Sequence, residues 1–467
     1  MNIYLDIDGV FRGVESPVSD LTELMTFVLD NFPGHVFWLT THVWRGANNA
    51  VRALVDVFDD DLLRRLDTEV QATNWGDYKT DAIDFDEDFI WLDDDLGSTE
   101  RMILENHGAL DGHFMMDWRD PEMAKKALAE IKSRMEVIPE VDEMTDRARG
   151  SMVGLAVGDA LGVPIEFGWV SQDIEKNLEE IRTMPPYHGI FGLWSDDTSM
   201  ALCMADSILE HGGYDSYDVM TKYLYWRDEG LNSMVNGGFG IGNQTNHTLS
   251  EFVHDPVVKA DAEKEWAAGN GGIMRIAPAV IARDNVAIEE AVELARISAR
   301  ETHNSLMVEM TAEVFGAAIH LALNGAEKDR IIEECFEYVS LDLKATYKEV
   351  SEDMHRRIGG DGSCLRDLGG YTVDALVIAL WGFANADGFE DGMMKVLALG
   401  GDADTNAAIY GQLAGAYYGY NQIPERWRKT IGREKSIRER AEKLHALEEC
   451  PILATRFEED IEKGYFE

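Results

Sequence analysis

Positive charge is what this sequence has least of for its size. Across 467 residues, 42 Lys and Arg stand against 87 Asp and Glu, a formal net charge of −45. Broad binding to duplex nucleic acid or to an anionic membrane surface depends on clustered Lys and Arg, so composition argues against both partner classes. Cysteine is scarce too. The four present, Cys203, Cys335, Cys364 and Cys450, form no CxxC pair, which argues against a zinc knuckle or a disulfide framework. Such usage suits a reducing compartment, and a cytoplasmic location is expected. The N-terminus lacks a basic segment and carries Asp6 and Asp8 in its first apolar run, so it does not read as a signal peptide. No uninterrupted apolar run of about 18 residues occurs, which argues against a membrane span.

What the chain does have is core material. Apolar residues make up 45% and aromatics 9%, enough for about two or three domains at roughly 150 residues each. The first 120 or so residues alternate β-rich runs (Ile3 to Ile7, Val36 to Leu39, Phe89 to Leu92) with helical stretches, the pattern of a parallel α/β sheet. A charged helix is expected over Asp120 to Met135, with Pro121 in its first turn. From about residue 145 the apolar spacing turns helical: Ala201 to Leu209, Ala291 to Ile297, Met307 to Leu323, Val373 to Phe383 and Ile409 to Tyr418, separated by glycine pairs. The expected organisation is an α/β domain over 1–138, a linker over 139–145 and an all-α domain over 146–467.

Two groups of acidic residues stand out. In the first domain, Leu5-Asp6-Ile7-Asp8-Gly9-Val10 puts two carboxylates at the end of an apolar strand, with a glycine to let the chain turn. Such a pair can hold one divalent cation through a side chain and a carbonyl while leaving one carboxylate for proton transfer. The runs ending at Thr40 and at Asp93-Asp94 repeat this strand-into-polar pattern, and Lys79 could neutralise phosphate charge. In the second domain, Ser195-Asp196-Asp197 heads one amphipathic helix and Asp402-Ala403-Asp404-Thr405 heads another. Ser and Asp are favoured helix caps, but one acidic residue would satisfy a cap. So many hard oxygen donors in two short clusters match one or two Mg²⁺ or Mn²⁺ ions, provided the helix ends converge.

The order of motifs in the first domain resembles the haloacid dehalogenase superfamily. Trp38-Leu39-Thr40-Thr41, Ala47-Asn48 and Trp91-Leu92-Asp93-Asp94-Asp95-Leu96 are similar to the capless domain of Swiss-army-knife RNA repair proteins. The resemblance implies a Rossmann-like fold and one Mg²⁺, with Asp6 as phosphoryl-accepting nucleophile and Asp8 as general acid/base. It further implies Thr40 and Lys79 as phosphate holders and Asp93 or Asp94 as a metal ligand. An aspartate at position 8 favours a phosphatase acting on a phosphorylated substrate.

In the second domain, Gly154 to Glu166, the Ser195-to-Leu202 run, Gly269-Asn270-Gly271-Gly272-Ile273-Met274-Arg275, Thr302-His303-Asn304 and Gly401-Asp402-Ala403-Asp404-Thr405 together resemble the ADP-ribosylglycohydrolase family. The resemblance implies an all-α fold around a two-metal centre that removes ADP-ribose from a modified protein or a small ADP-ribosyl compound. Carried over by position, Ser195, Asp196, Asp197, Asp402, Asp404 and Thr405 are ligands, and Glu166 is either a ligand or the carboxylate that handles water. Asn270 and His303 would contact ADP-ribose, while Gly240, Gly242 and Asn243 would meet its diphosphate. The family more often has Thr at position 195, and Ser keeps the hydroxyl. Without the resemblance, His303 reads as a core or helix-surface imidazole; Asp159 reads as a structural hydrogen-bonding residue rather than a catalyst. Two alternatives stay open: a first domain that binds phosphate without cleaving it, and a second that hydrolyses a free ADP-ribosyl metabolite or a nucleic-acid adduct.

Overall fold

The computed structural model describes residues 1–45, 48–85, 87–135, 139–167, 174–257, 267–340, 343–344 and 348–457. The chain divides into two compact units, one of Met1–Glu140 with His188–Phe191, the other of Val141–Tyr187 with Gly192–Glu467.

The first unit is built on five parallel strands: β1 (Asn2–Leu5), β2 (Val36–Trp38), β3 (Gln71–Ala72), β4 (Phe89–Asp93) and β5 (His113–Met115), in the order β3-β2-β1-β4-β5. Register is fixed by the pairs Leu5–Trp38 and Leu5–Leu92. Alternation along β1 splits the core. Ile3 and Leu5 pack with Trp38, Ile90 and Leu92 on one face, while Tyr4 packs with Phe89, Trp91 and Leu104 on the other. A sheet covered on both faces leaves its strands little surface to show water, which is why β1 and β4 are wholly buried. The chain runs outward from β1 to β3 and then returns to β4. The carboxyl ends of β1 and β4 therefore flank the point where strand order reverses, the usual crevice for ligands in such sheets. The last helix of this unit is Met123–Arg134, so Pro121 lies in a turn before it rather than in its first turn.

Among its described residues the second unit is built of helices and two short parallel strands, β6 (Tyr214–Asp215) and β7 (Ile452–Ala454). Its first helix, Glu143–Gly162, is capped by Asp142, whose carboxylate accepts from the Met144 and Thr145 N–H groups. The expected linker at 139–145 is thus partly helix, because that aspartate is an efficient cap. Helices Asp196–His211, Ile288–Arg300, Leu306–Leu323, Thr372–Ala384 and Ala403–Tyr418 contain the five apolar runs seen in sequence. Leu306–Leu323 is long and apolar enough by composition to cross a membrane, with a mean hydropathy of 1.5, yet 89% of it is buried inside this unit. Its acidic Glu309 pairs there with Arg296 and Arg300.

Helices Glu143–Gly162 and Ala403–Tyr418 run antiparallel with their backbones in contact. A Cβ on Gly150, Gly154 or Gly158 would lie 2.3, 2.3 or 2.1 Å from the carbonyl oxygens of Gly415, Gly411 or Ala407. One on Gly162 would lie 2.1 Å from Asp404 Cα. Glycine at every fourth position clears one helix face, and the close approach sets Asp404 beside Asp159.

Candidate active sites

The glycine-lined helix pair sets up the larger cluster. Asp159 is fully buried and accepts from Ser195 N–H at 2.9 Å and from Thr198 N–H and Oγ1 at 3.0 and 2.6 Å, with Ser195 Oγ also 2.9 Å away. It thereby fixes the N-terminus of helix Asp196–His211. The carboxylates of Asp159, Asp197 and Asp404 lie within 4.8 Å of one another, as do those of Glu166, Asp402 and Asp404. Asp404 belongs to both triads, so it is the common corner of two cation-sized sites. Asp196 follows Ser195 in the same first turn, and Thr405 follows Asp404, its N–H donating to the Asp404 carboxylate at 2.8 Å.

The electrostatics are lopsided. Burial pushes Asp196, Asp197 and Asp404 well above the usual carboxylate range, helped by repulsion from their neighbours, and raises Asp159 to about 6. Glu166 is raised by burial, Asp402 and Asp159. No Lys or Arg forms an ion pair with any of these acids among the described residues. Asp197 Oδ1 is buried without a hydrogen-bond partner. Ser195 Oγ lies 2.9 Å from Asp159 and 3.0 Å from Asp197, yet its single proton can serve only one of them. Orphaned oxygen, hard donors and uncompensated charge all fit divalent cations.

Other expected residues surround this cluster. Asn270 donates its amide to Asp402 Oδ2 at 2.9 Å, so it braces a candidate ligand. Gly370 sits against both, since a Cβ there would be 3.0 Å from Asp402 Oδ2 and 3.3 Å from Asn270 Oδ1. Gly240, with φ +82°, packs against Ser195 and Asp196. Gly242 and Asn243 open the helix Asn243–Phe252, both exposed. His303 is buried behind the Gly269–Gly271 turn, and burial beside Arg275 lowers its pKa to about 3, so the ring is neutral.

In the first unit the strand ends gather Asp6, Asp93 and Asp94 within 4.8 Å. Here a cation is built in. Lys79 Nζ lies 2.9 Å from Asp6 Oδ2 and 2.5 Å from Asp93 Oδ2. Trp91 Nε1 also donates to Asp93, at 3.1 Å. Asp93 is raised to about 6 by burial and by Asp6, with Lys79 opposing. Gly9, at φ +74°, leaves room for Asp94, whose Cγ would be 2.1 Å from a Cβ there. The Asp8 carboxylate stands outside this triad, 3.0 Å from His42 Nε2 and 3.7 Å from Arg12. Thr40 is buried at the end of β2. Ala47 and the Asn48 side chain lie outside the described residues.

A model of the family described as ADP-ribosylglycohydrolase matches residues 140–452. The chain belongs to the ADP-ribosylglycohydrolase family. Its relatives include the ADP-ribosylarginine hydrolase Tri1 of Pseudomonas putida, 32% identical over 65% of this chain and 79% of that protein. Another is the ADP-ribosyl-[dinitrogen reductase] glycohydrolase of Rhodospirillum rubrum, 30% identical over 65% and 96%. A solved chain from an ADP-ribosylglycohydrolase-related protein complex is 34% identical, with a TM-score of 0.52 over 66% of this chain and 99% of that one.

Sequence reasoning read Asp159 as a hydrogen-bonding residue, which its contacts with Ser195 and Thr198 bear out, but it missed Asp159's place among the carboxylates of the larger cluster, as well as Thr198 there and His42 at the smaller. The glycine repeat 150-154-158-162 was the available signal for the first, because it marks the helix face that must touch another backbone.

Proposed function

We propose that the helical unit is a divalent-cation-dependent hydrolase that releases ADP-ribose from a modified protein side chain, with ADP-ribosyl-arginine the first substrate to test. The observation that carries this reading is the convergence of five carboxylates, Asp159, Glu166, Asp197, Asp402 and Asp404, with no Lys or Arg paired to them among the described residues, in a member of this family. The names of the Pseudomonas and Rhodospirillum relatives support an ADP-ribosylated protein as substrate. Ser195, Asp196, Asp197, Asp402, Asp404 and Thr405 would hold one or two Mg²⁺ or Mn²⁺ ions, with Asp159 and Glu166 adjoining. When bound, such ions offset the acidic charge and orient ribose hydroxyls. Glu166, on the accessible side, takes a proton from the water that attacks the anomeric carbon. The glycosidic bond breaks with its electron pair going to the side-chain nitrogen, which receives that proton. Gly240, Gly242 and Asn243 meet the diphosphate through backbone N–H and amide groups. Incubating the full chain with ADP-ribosyl-arginine, ADP-ribosyl-serine and O-acetyl-ADP-ribose, with Mg²⁺ and then with EDTA, tests this. No EDTA-sensitive ADP-ribose release from any of them would sink it.

A second reading concerns the first unit and rests on the Asp6–Lys79–Asp93 contact. It is a phosphatase of the haloacid dehalogenase type. Asp6 attacks phosphorus and the ester oxygen leaves with a proton from Asp8; Asp8 then takes a proton from a water that attacks the phosphorus, which releases phosphate and restores the Asp6 carboxylate. Thr40 and Lys79 hold the phosphate, and Asp6, Asp93 or Asp94, with Asp8 through its carbonyl, would hold one Mg²⁺. Turnover of p-nitrophenyl phosphate that disappears in Asp6→Asn supports it. Absence of Asp6-dependent turnover leaves a phosphate-binding module.

A further inference from the structure

His303 lies at the end of a chain of donors whose direction can be worked out. Arg275 is fully buried and can only donate. Its Nε donates to Tyr223 OH at 3.1 Å, its Nη1 to the Gly271 carbonyl, and its Nη2 to Thr302 Oγ1 at 2.6 Å. Thr302 Oγ1 is also 2.8 Å from His303 Nδ1. Accepting from Arg275 leaves the threonine oxygen a second lone pair, but Oγ1 makes no other hydrogen bond among the described residues, so its buried proton has only Nδ1 as an acceptor and is placed between Oγ1 and Nδ1. Nδ1 therefore accepts, and the ring proton of the neutral imidazole resides on Nε2.

The threonine is held on its other side as well. Its carbonyl accepts from Gln244 Nε2 and Thr248 Oγ1, both at 3.0 Å, on the helix that follows the Gly240–Gly242 loop. His303 Nε2 makes no hydrogen bond among the described residues. It faces the glycine turn, 3.0 Å from where a Cβ on Gly269 or Gly271 would stand. Asn270, between those glycines, is the residue that braces Asp402.

We propose that Arg275 and Thr302 are positioning residues that lock His303 as an Nε2–H donor toward a ligand acceptor oxygen on the glycine-turn side of the larger cluster. The class of ligand group is an oxygen without a proton to give, such as a diphosphate oxygen. Only this functional consequence rests on the hydrolase reading; the tautomer does not.

The test uses the full chain labelled with ¹⁵N-histidine and long-range ¹H–¹⁵N correlation, with the His303 signals assigned by their loss in His303→Gln. The wild type is expected to show the Nε2–H pattern, Thr302→Ser to keep it, and Thr302→Val to lose it. In hydrolysis of ADP-ribosyl-arginine, Thr302→Val should raise KM about tenfold, the size of one lost hydrogen bond, with kcat changed much less. An Nδ1–H or imidazolium pattern in the wild type overturns the proposal, as does a Thr302→Val spectrum that keeps the Nε2–H pattern. If Thr302→Val does not fold, the wild-type and Thr302→Ser spectra decide. If the wild type releases no ADP-ribose, the hydrolase reading fails while the spectra still judge the lock.

Discussion

The two carboxylate clusters answer the same electrostatic problem differently. At the strand ends of the first unit, Lys79 bridges Asp6 and Asp93. In the helical unit five acids meet with no Lys or Arg paired to them among the described residues, and Asp197 keeps an orphaned buried oxygen. Like charges brought together in a dry interior either stay protonated or await an external cation. The first cluster is thus offset in part within the polypeptide, one lysine against three carboxylates, while the second has no such internal cation among the described residues.

The strongest test of that contrast is Asp404→Asn, which removes the corner common to both helical triads. ADP-ribose release should fall by at least about 100-fold, more than loss of a residue that merely supports a ligand. Adding Mg²⁺ to the metal-free wild type should raise the helical unit's calorimetric unfolding transition, and the variant should lose most of that shift. Equal shifts in both would end the argument for a shared corner.

Next in size is Gly158→Val. A side chain there meets the Ala407 carbonyl, so about 3 kcal/mol of stability should be lost by denaturant titration, and Mg²⁺-dependent stabilisation should weaken with it. Lys79→Met should cost the first unit about 2 kcal/mol, less than a fully buried pair because the side chains keep some exposure, and divalent cations should restore part of it. If Mg²⁺ restores nothing, the lysine is not standing where a cation could.

The smallest effect is a slope. Asp159 has a folded pKa of about 6, above its ordinary value, so its contribution to stability is full below the unfolded pKa and is lost as pH rises through 6. The other raised acids act in the same direction. His303, lowered to about 3, opposes them, since its contribution is lost as pH falls below 6.5. In EDTA, unfolding followed from pH 5 to 7 should show a net decline, and His303→Gln should steepen it by up to about 1.4 kcal/mol per pH unit. Saturating Mg²⁺ should abolish the decline.

Much of the architecture was legible because apolar periodicity is a local signal. β1, β2 and β4 and the five long helices follow directly from it. Strands β3 and β5, Gln71–Ala72 and His113–Met115, are too short and mixed to announce themselves, and they exist because neighbouring strands offer them edges. The acidic helix heads were legible because they exceed what caps need. Asp159 was legible only as a hydrogen-bonding residue, since an aspartate in the last turn of a helix has many ordinary uses. Its role emerges only when the glycine face brings Asp404 against it. Lys79 was singled out, but its contact with Asp6 spans 73 positions, and no local pattern encodes it.

The backbone contact between Glu143–Gly162 and Ala403–Tyr418 also limits how this protein can change. With no side chain between the two main chains, there is no rotamer to flip and no filler to swap, so small substitutions cannot retune the spacing of Asp159 and Asp404. Selection for a new substrate would have to work on the loops around the cluster, above all 237–243 and 269–272, leaving the helix pair as a fixed gauge against which those loops are varied.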